Sequence, residues 1–108
     1  MPIGGGNPQK TPAVFLQDVG NIAIGGNSVI PAGRRVMAVY SSGPDGAVEY
    51  LDAAATWREV ASIMMSSTDV MTTTRFTLIN ILSTGANVRL KNNNIAIKAF
   101  QYVYEVLI

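Results

Sequence analysis

The chain contains no cysteine and no histidine. Without cysteine there is no disulfide and no thiol chemistry. Without histidine the commonest general base and the commonest metal ligand are both missing. Charge is scarce too: Asp, Glu, Lys and Arg make up 14% of the 108 residues, against ~25% in an average globular chain. A net charge of +1 offers no electrostatic case for a nucleic acid or an anionic membrane as partner. No apolar run approaches the ~20 residues of a membrane-spanning helix. The N-terminal residues lack the basic and apolar regions of a signal peptide, so export by the usual route is not expected.

These absences narrow the chemistry. Nucleophilic catalysis is left with Ser-Lys or carboxylate schemes, and the serines fall in loop-like segments with no lysine at a telling spacing. Glu49, Asp52 and Glu59 are close in sequence, as a carboxylate pair for sugar hydrolysis would be in space. Among only seven acids, that closeness carries little information. Asn92-Asn93-Asn94 lacks the acids of a calcium loop. The expectation is a protein that is not an enzyme and holds no cofactor or metal. So little ionic surface also suggests that much of the exterior is covered by protein.

What is present is β-forming. The densest stretch of β-branched and aromatic residues is 95–108, and from Phe100 it alternates. Phe100, Tyr102, Tyr104, Val106 and Ile108 face one way; Gln101, Val103, Glu105 and Leu107 face the other. An end that stays apolar to Ile108 must pair inside a sheet or meet a partner chain. Earlier strands are expected over 12–19, 22–24, 28–30, 34–41, with Val36, Ala38 and Tyr40 facing Met37 and Val39 across the pleat, and 47–51. Later ones are expected over 75–82 and 87–91, with Val88 and Leu90 inward. Gly20-Asn21, Gly25-Gly26-Asn27, Pro31-Ala32-Gly33, Ser42-Gly43-Pro44-Asp45-Gly46, Ser83-Thr84-Gly85-Ala86 and Asn92-Asn93-Asn94 read as turns.

Two segments are ambiguous. Residues 52–65 fit a helix capped by Asp52, or a hairpin loop over 52–56 with Trp57 opening a strand. The β reading is preferred because its neighbours are strands and sequential strands tend to pair. Residues 66–74, rich in Ser and Thr, fit a long loop or a ragged edge strand. Residues 1–12 carry three glycines and three prolines and cannot be helical. They form an extended N-terminal arm or a disordered tail, preceding a domain over 13–108. The fold class expected is all-β: an antiparallel β-sandwich of about eight short strands, jelly-roll-like. An immunoglobulin-like sandwich and a small barrel remain open beside it.

Candidate binding residues follow from this outline. Ile3 would anchor the arm on a neighbouring subunit, with Asn7, Gln9 and Lys10 as the arm's other partner-binding candidates. Arg34 and Arg35 form either a solvated strand end or a clamp for a partner's carboxylate. Trp57 is either packed or, with Tyr50, exposed for stacking on a sugar ring.

Two local patterns resemble a known group. Tyr50-Leu51-Asp52 followed by Thr56-Trp57-Arg58-Glu59-Val60 is similar to the strand-loop-Trp-strand passage of viral and carbohydrate-binding jelly rolls. Phe76-Thr77-Leu78 with Asn87-Val88-Arg89-Leu90-Lys91-Asn92 is similar to their later strand pair. With the Gly/Pro arm and the apolar end, the chain resembles the capsid decoration (cement) proteins of tailed bacteriophages, over about half its length. That resemblance implies a structural virion protein on the capsid surface, made in the host cytoplasm. It implies a homo-oligomer, a trimer by preference, docked on the major capsid protein. The other reading is a carbohydrate-binding or host-recognition module of a phage tail.

Overall fold

The computed structural model describes residues 12–43, 45–63 and 75–107. Eight strands follow in order: β1 (Pro12–Ile22), β2 (Asn27–Val29), β3 (Arg34–Ser41), β4 (Gly46–Leu51), β5 (Trp57–Ile63), β6 (Arg75–Ser83), β7 (Val88–Asn92) and β8 (Lys98–Leu107). No helix occurs among the described residues. The strands form two four-stranded sheets, β1-β8-β3-β6 and β2-β7-β4-β5. All pairings are antiparallel, and the two sheets pack as a sandwich.

The order has a simple origin. β1 pairs with β8, β2 with β7, β3 with β6 and β4 with β5. The chain is therefore one long antiparallel ribbon, doubled back at the β4–β5 connection. Rolling that ribbon lays β8 against β3 and β7 against β4. The result is the eight-stranded jelly-roll arrangement.

The core lies between the sheets. Ile30, Val36, Val39, Val48, Ile63, Val88, Leu90 and Phe100 are buried in it with Ile22 and Tyr102. Phe100 is the largest fully buried side chain. It fits because Gly46 on the facing sheet has none: a Cβ there would lie 2.8 Å from Phe100 Cε2 and 2.8 Å from Ile63 Cδ1. Val88, Leu90, Phe100 and Tyr102 point inward as their alternation predicts, and Tyr104 packs against the same cluster.

Four expectations need correction, three of them through register. Gly20-Asn21 is not a turn. β1 runs through it with a bulge at Val19, between the pairs Asp18↔Gln101 and Gly20↔Phe100. Gly20, directly after the bulged residue, takes φ +80°, a conformation that glycine adopts freely. Consequently 22–24 is not a strand: Ile22 ends β1, and Gly26 N–H closes a turn onto Ala23 C=O at 2.8 Å. In β3 the strict alternation of 36–40 fails, because Met37 is an extra residue between Val36↔Tyr104 and Ala38↔Val103. Val36 and Val39 both reach the core, while Met37 stays exposed. The last strand begins at Lys98, not at residue 95, and Ile95 and Ile97 are exposed.

The ambiguous segment 52–65 is a hairpin loop followed by strand β5. Asp52 does not cap a helix. Its Oδ1 accepts the N–H groups of Ala54 and Thr56, both at 2.9 Å, which stabilises a loop in which Ala55 takes φ +61°. Residues 64–74, and with them the Ser/Thr-rich stretch, lie outside the described residues.

Candidate functional site

The outer face of the first sheet carries the most unusual surface of the molecule. Register places its outward side chains in three rows across β1, β8, β3 and β6. One row is Val14, Glu105, Arg35 and Leu82. The middle row is Leu16, Val103, Ala38 and Leu78. The third is Asp18, Gln101, Tyr40 and Phe76. The middle row is wholly apolar, and Met37 bulges beside it.

Burial follows the register. Along β6, Phe76, Leu78, Asn80 and Leu82 are exposed while Thr77, Ile79 and Ile81 turn toward the core. Leu78 is 75% exposed, Leu16 60%, Val14 59% and Phe76 58%. Tyr40 and Phe76 group their rings at 5.9 Å. Four strands ~4.8 Å apart and three rows ~7 Å apart span about 400 Å² in projection. Contiguous apolar patches of that size on a monomer are often functional. Eight of the twelve positions in those rows are apolar, and at ~25 cal/mol per Å² covering their share releases about 7 kcal/mol gross. That is comparable with the ~4–15 kcal/mol cost of association. A partner must therefore bring apolar area of its own for binding to be firm.

The charges on this face are few: Arg35 and Glu105 adjacent in one row, and Asp18 apart in the third, its Oδ1 accepting Gly20 N–H at 3.0 Å. Arg35 Nη1 donates to Asn80 Oδ1 at 3.0 Å, and its Nε lies 3.8 Å from Glu105 Oε1. The in-chain ion pair is thus long and partly solvated, and is worth little to stability.

The outer face of the second sheet is different in kind. Arg89 bonds Glu49 at 2.7 Å, with both side chains largely covered. The guanidinium lies 4.0 Å from the centre of the Trp57 ring. Trp57 is therefore half-buried, with one ring face already occupied, and that face is not free to stack on a sugar. Tyr50, its suggested companion, is exposed at the same end of β4 but pairs with Val88, on the opposite face of the sheet from Glu49 and Arg89.

Arg34 and Arg35 are adjacent in sequence and point to opposite faces, as strand geometry dictates. They do not form a joint clamp. Arg35 lies on the outer face. Arg34 lies in a cleft of about 370 Å³ between β1 and β2, with Gln17, Ser28 and Tyr102. Its Nη1 donates to Tyr102 Oη at 2.8 Å and Gln17 Oε1 at 3.3 Å, and its guanidinium covers the Tyr104 ring at 4.2 Å. Burial pushes the Tyr102 phenol above its ordinary value, and the bond from Arg34 opposes that shift. Ile3, Asn7, Gln9 and Lys10 lie outside the described residues.

Sequence reasoning missed the apolar face itself. Val14, Leu16, Leu78 and Val103 each read as ordinary strand residues, and only their lateral order makes them one surface. Among the described residues no three His, Cys, Asp or Glu side chains come together as metal ligands would. No protein-family model matches the chain, and no curated protein is significantly similar to it.

Proposed function

We propose that this protein is a non-enzymatic structural component of a virion, a jelly roll that binds and braces a capsid lattice through protein–protein contacts. In this reading its partner is the major capsid protein, its place is the capsid surface, and it works as a homo-oligomer. The observation that carries the reading is the apolar outer face of β1-β8-β3-β6, too large and too exposed to be left to water. The strand order adds support by analogy, since jelly rolls recur in capsid and lectin domains. The lectin-like alternative is weaker, because Trp57 is half-buried and Arg89 already covers one face of its ring.

Retention on purified capsids tests the proposal. The wild-type chain is expected to cosediment with capsids. Leu78→Asp, which alters a 75% exposed residue, is expected to lose retention by about tenfold or more. A chain that is monodisperse, monomeric and not retained on capsids removes the reading.

A further inference from the structure

We infer that the outer face of β1-β8-β3-β6 is covered by a second copy of this chain, related by a two-fold axis that runs along the strands between β8 and β3. The inference rests on the proposed homo-oligomer: this face joins two copies, and retention on capsids depends on it through the paired unit. Its first support is the placement of charge. Glu105 and Arg35 are neighbours in one row, on the two central strands, either side of the sheet's midline. A two-fold along that midline keeps each row in place and exchanges β8 with β3 and β1 with β6. Arg35 of each copy then faces Glu105 of the other. The alternative two-fold, running across the strands, sets Arg35 against Tyr40 and Glu105 against Gln101 and leaves both charges without an opposite partner. Arg35 and Glu105 are therefore self-complementary for one axis and not for the other, whereas Asp18, set against Phe76 by the first axis and Val14 by the second, favours neither.

The apolar residues agree with that axis. Leu16 on β1 meets Leu78 on β6 of the second copy, Val14 meets Leu82, and Val103 meets Ala38. The two most exposed residues of the middle row, Leu78 and Leu16, are thereby covered together. Area points the same way. One face spans about 400 Å² in projection, and its accessible surface, larger because side chains stand up from the sheet, approaches the ~800 Å² per partner of a stable interface. A second copy supplies an equal apolar area; a polar partner does not. Sheets packed face to face lie ~10 Å apart, within reach of Arg and Glu side chains extended from opposite sides. The 3.8 Å in-chain separation leaves Arg35 donors available to that second carboxylate. The pairing is two-fold, where the family resemblance implies a trimer.

Sedimentation equilibrium on full-length chains tests this. The wild type is expected at twice 11.5 kDa. Arg35→Glu and Glu105→Arg are each expected to weaken self-association by about tenfold or more, because like charges then face each other. An equimolar mixture of the two variants is expected to regain wild-type affinity, since the mixed dimer restores both opposite-charge contacts. The in-chain pair is broken in both variants, so it cannot produce that recovery. Circular dichroism spectra matching the wild type establish that each variant is folded. If either is not, Leu16→Asp and Leu78→Asp, at exposed sites, replace them and are expected to give monomers. A mixture no tighter than its components, or a wild type still monomeric at about 100 µM, overturns the second copy as occupant. If the wild type is monomeric and Leu78→Asp still abolishes capsid retention, the face binds a different protein and the functional proposal stands. If Leu78→Asp changes neither property, both fall.

Discussion

Asn92 shows how much of this fold one polar side chain can hold. It is buried at the end of β7, and its Nδ2 donates to Ile22 C=O and Ala96 C=O, both at 2.9 Å. Its Oδ1 accepts Asn94 N–H at 2.9 Å, and its own N–H and C=O bond Gly26 and Gly25 at 3.0 Å. The side chain thus ties the end of β1 to the 94–96 turn before β8. Asn92→Leu keeps the volume but strands two carbonyls, one of them buried, so a loss of about 2–4 kcal/mol is expected in urea unfolding. The same segment is legible in sequence as a turn, since asparagine tolerates the left-handed region, but the structure uses it differently. No asparagine here adopts the left-handed region; they are present for side-chain bonds. Asp52 acts on a smaller scale. The bond from Arg58 at 2.9 Å, then the Thr56 N–H, hold its carboxyl below the usual carboxylate range. A depressed folded value means the contribution is complete above about pH 4 and is lost as pH falls through that value. NMR titration should show Asp52 ionising below its range in unfolded peptide, and Arg58→Ala should raise it toward that range.

Among the elements, β3 and β8 decide which side chains reach the core. β8 lies between β1 and β3, so the apolar terminal run seen in the sequence is an interior strand, with Phe100 and Tyr102 buried. β3 holds its place only through the Met37 bulge. Removing Met37 forces either Val36 or Val39 out of the core. The expected loss is about 2–4 kcal/mol, from lost burial and the cavity left behind. Met37→Ala leaves the register alone and changes an exposed side chain, so it should cost less than about 0.5 kcal/mol. Comparing the two urea midpoints separates the role of the extra residue from that of its side chain. Period-two patterning located β3 and β8 because alternation is local. It missed the bulges because a bulge exists only relative to a neighbouring strand, and the neighbours of β3 are more than 30 residues away in sequence.

For the molecule as a whole, the two outer faces do different work. One carries an internal ion pair and cation–π contact, Glu49, Arg89 and Trp57, beside the exposed Val29. The other is open and apolar. Leu78→Asp should therefore leave the unfolding free energy of the isolated subunit within about 0.5 kcal/mol, while removing association. A thermal melt at concentrations below dissociation checks this, and a large fall in melting temperature there would mean that Leu78 packs within the subunit. The pairing of Pro12 with Leu107 joins the first strand to the last. Such long-range closure predicts refolding on the millisecond-to-second scale rather than in microseconds.

Residue order alone determined the β class, the positions of most strands and the inward faces of β7 and β8. Each depends on neighbours a few positions apart. Tertiary structure decided the lateral order 1-8-3-6, because backbone hydrogen bonds pair strands without regard to side-chain identity and the choice of partner is made by closing the whole ribbon. That order gathers Leu16, Val103, Ala38 and Leu78 from four distant segments into one apolar row. It also sends Arg34 and Arg35 to opposite sides of the sheet.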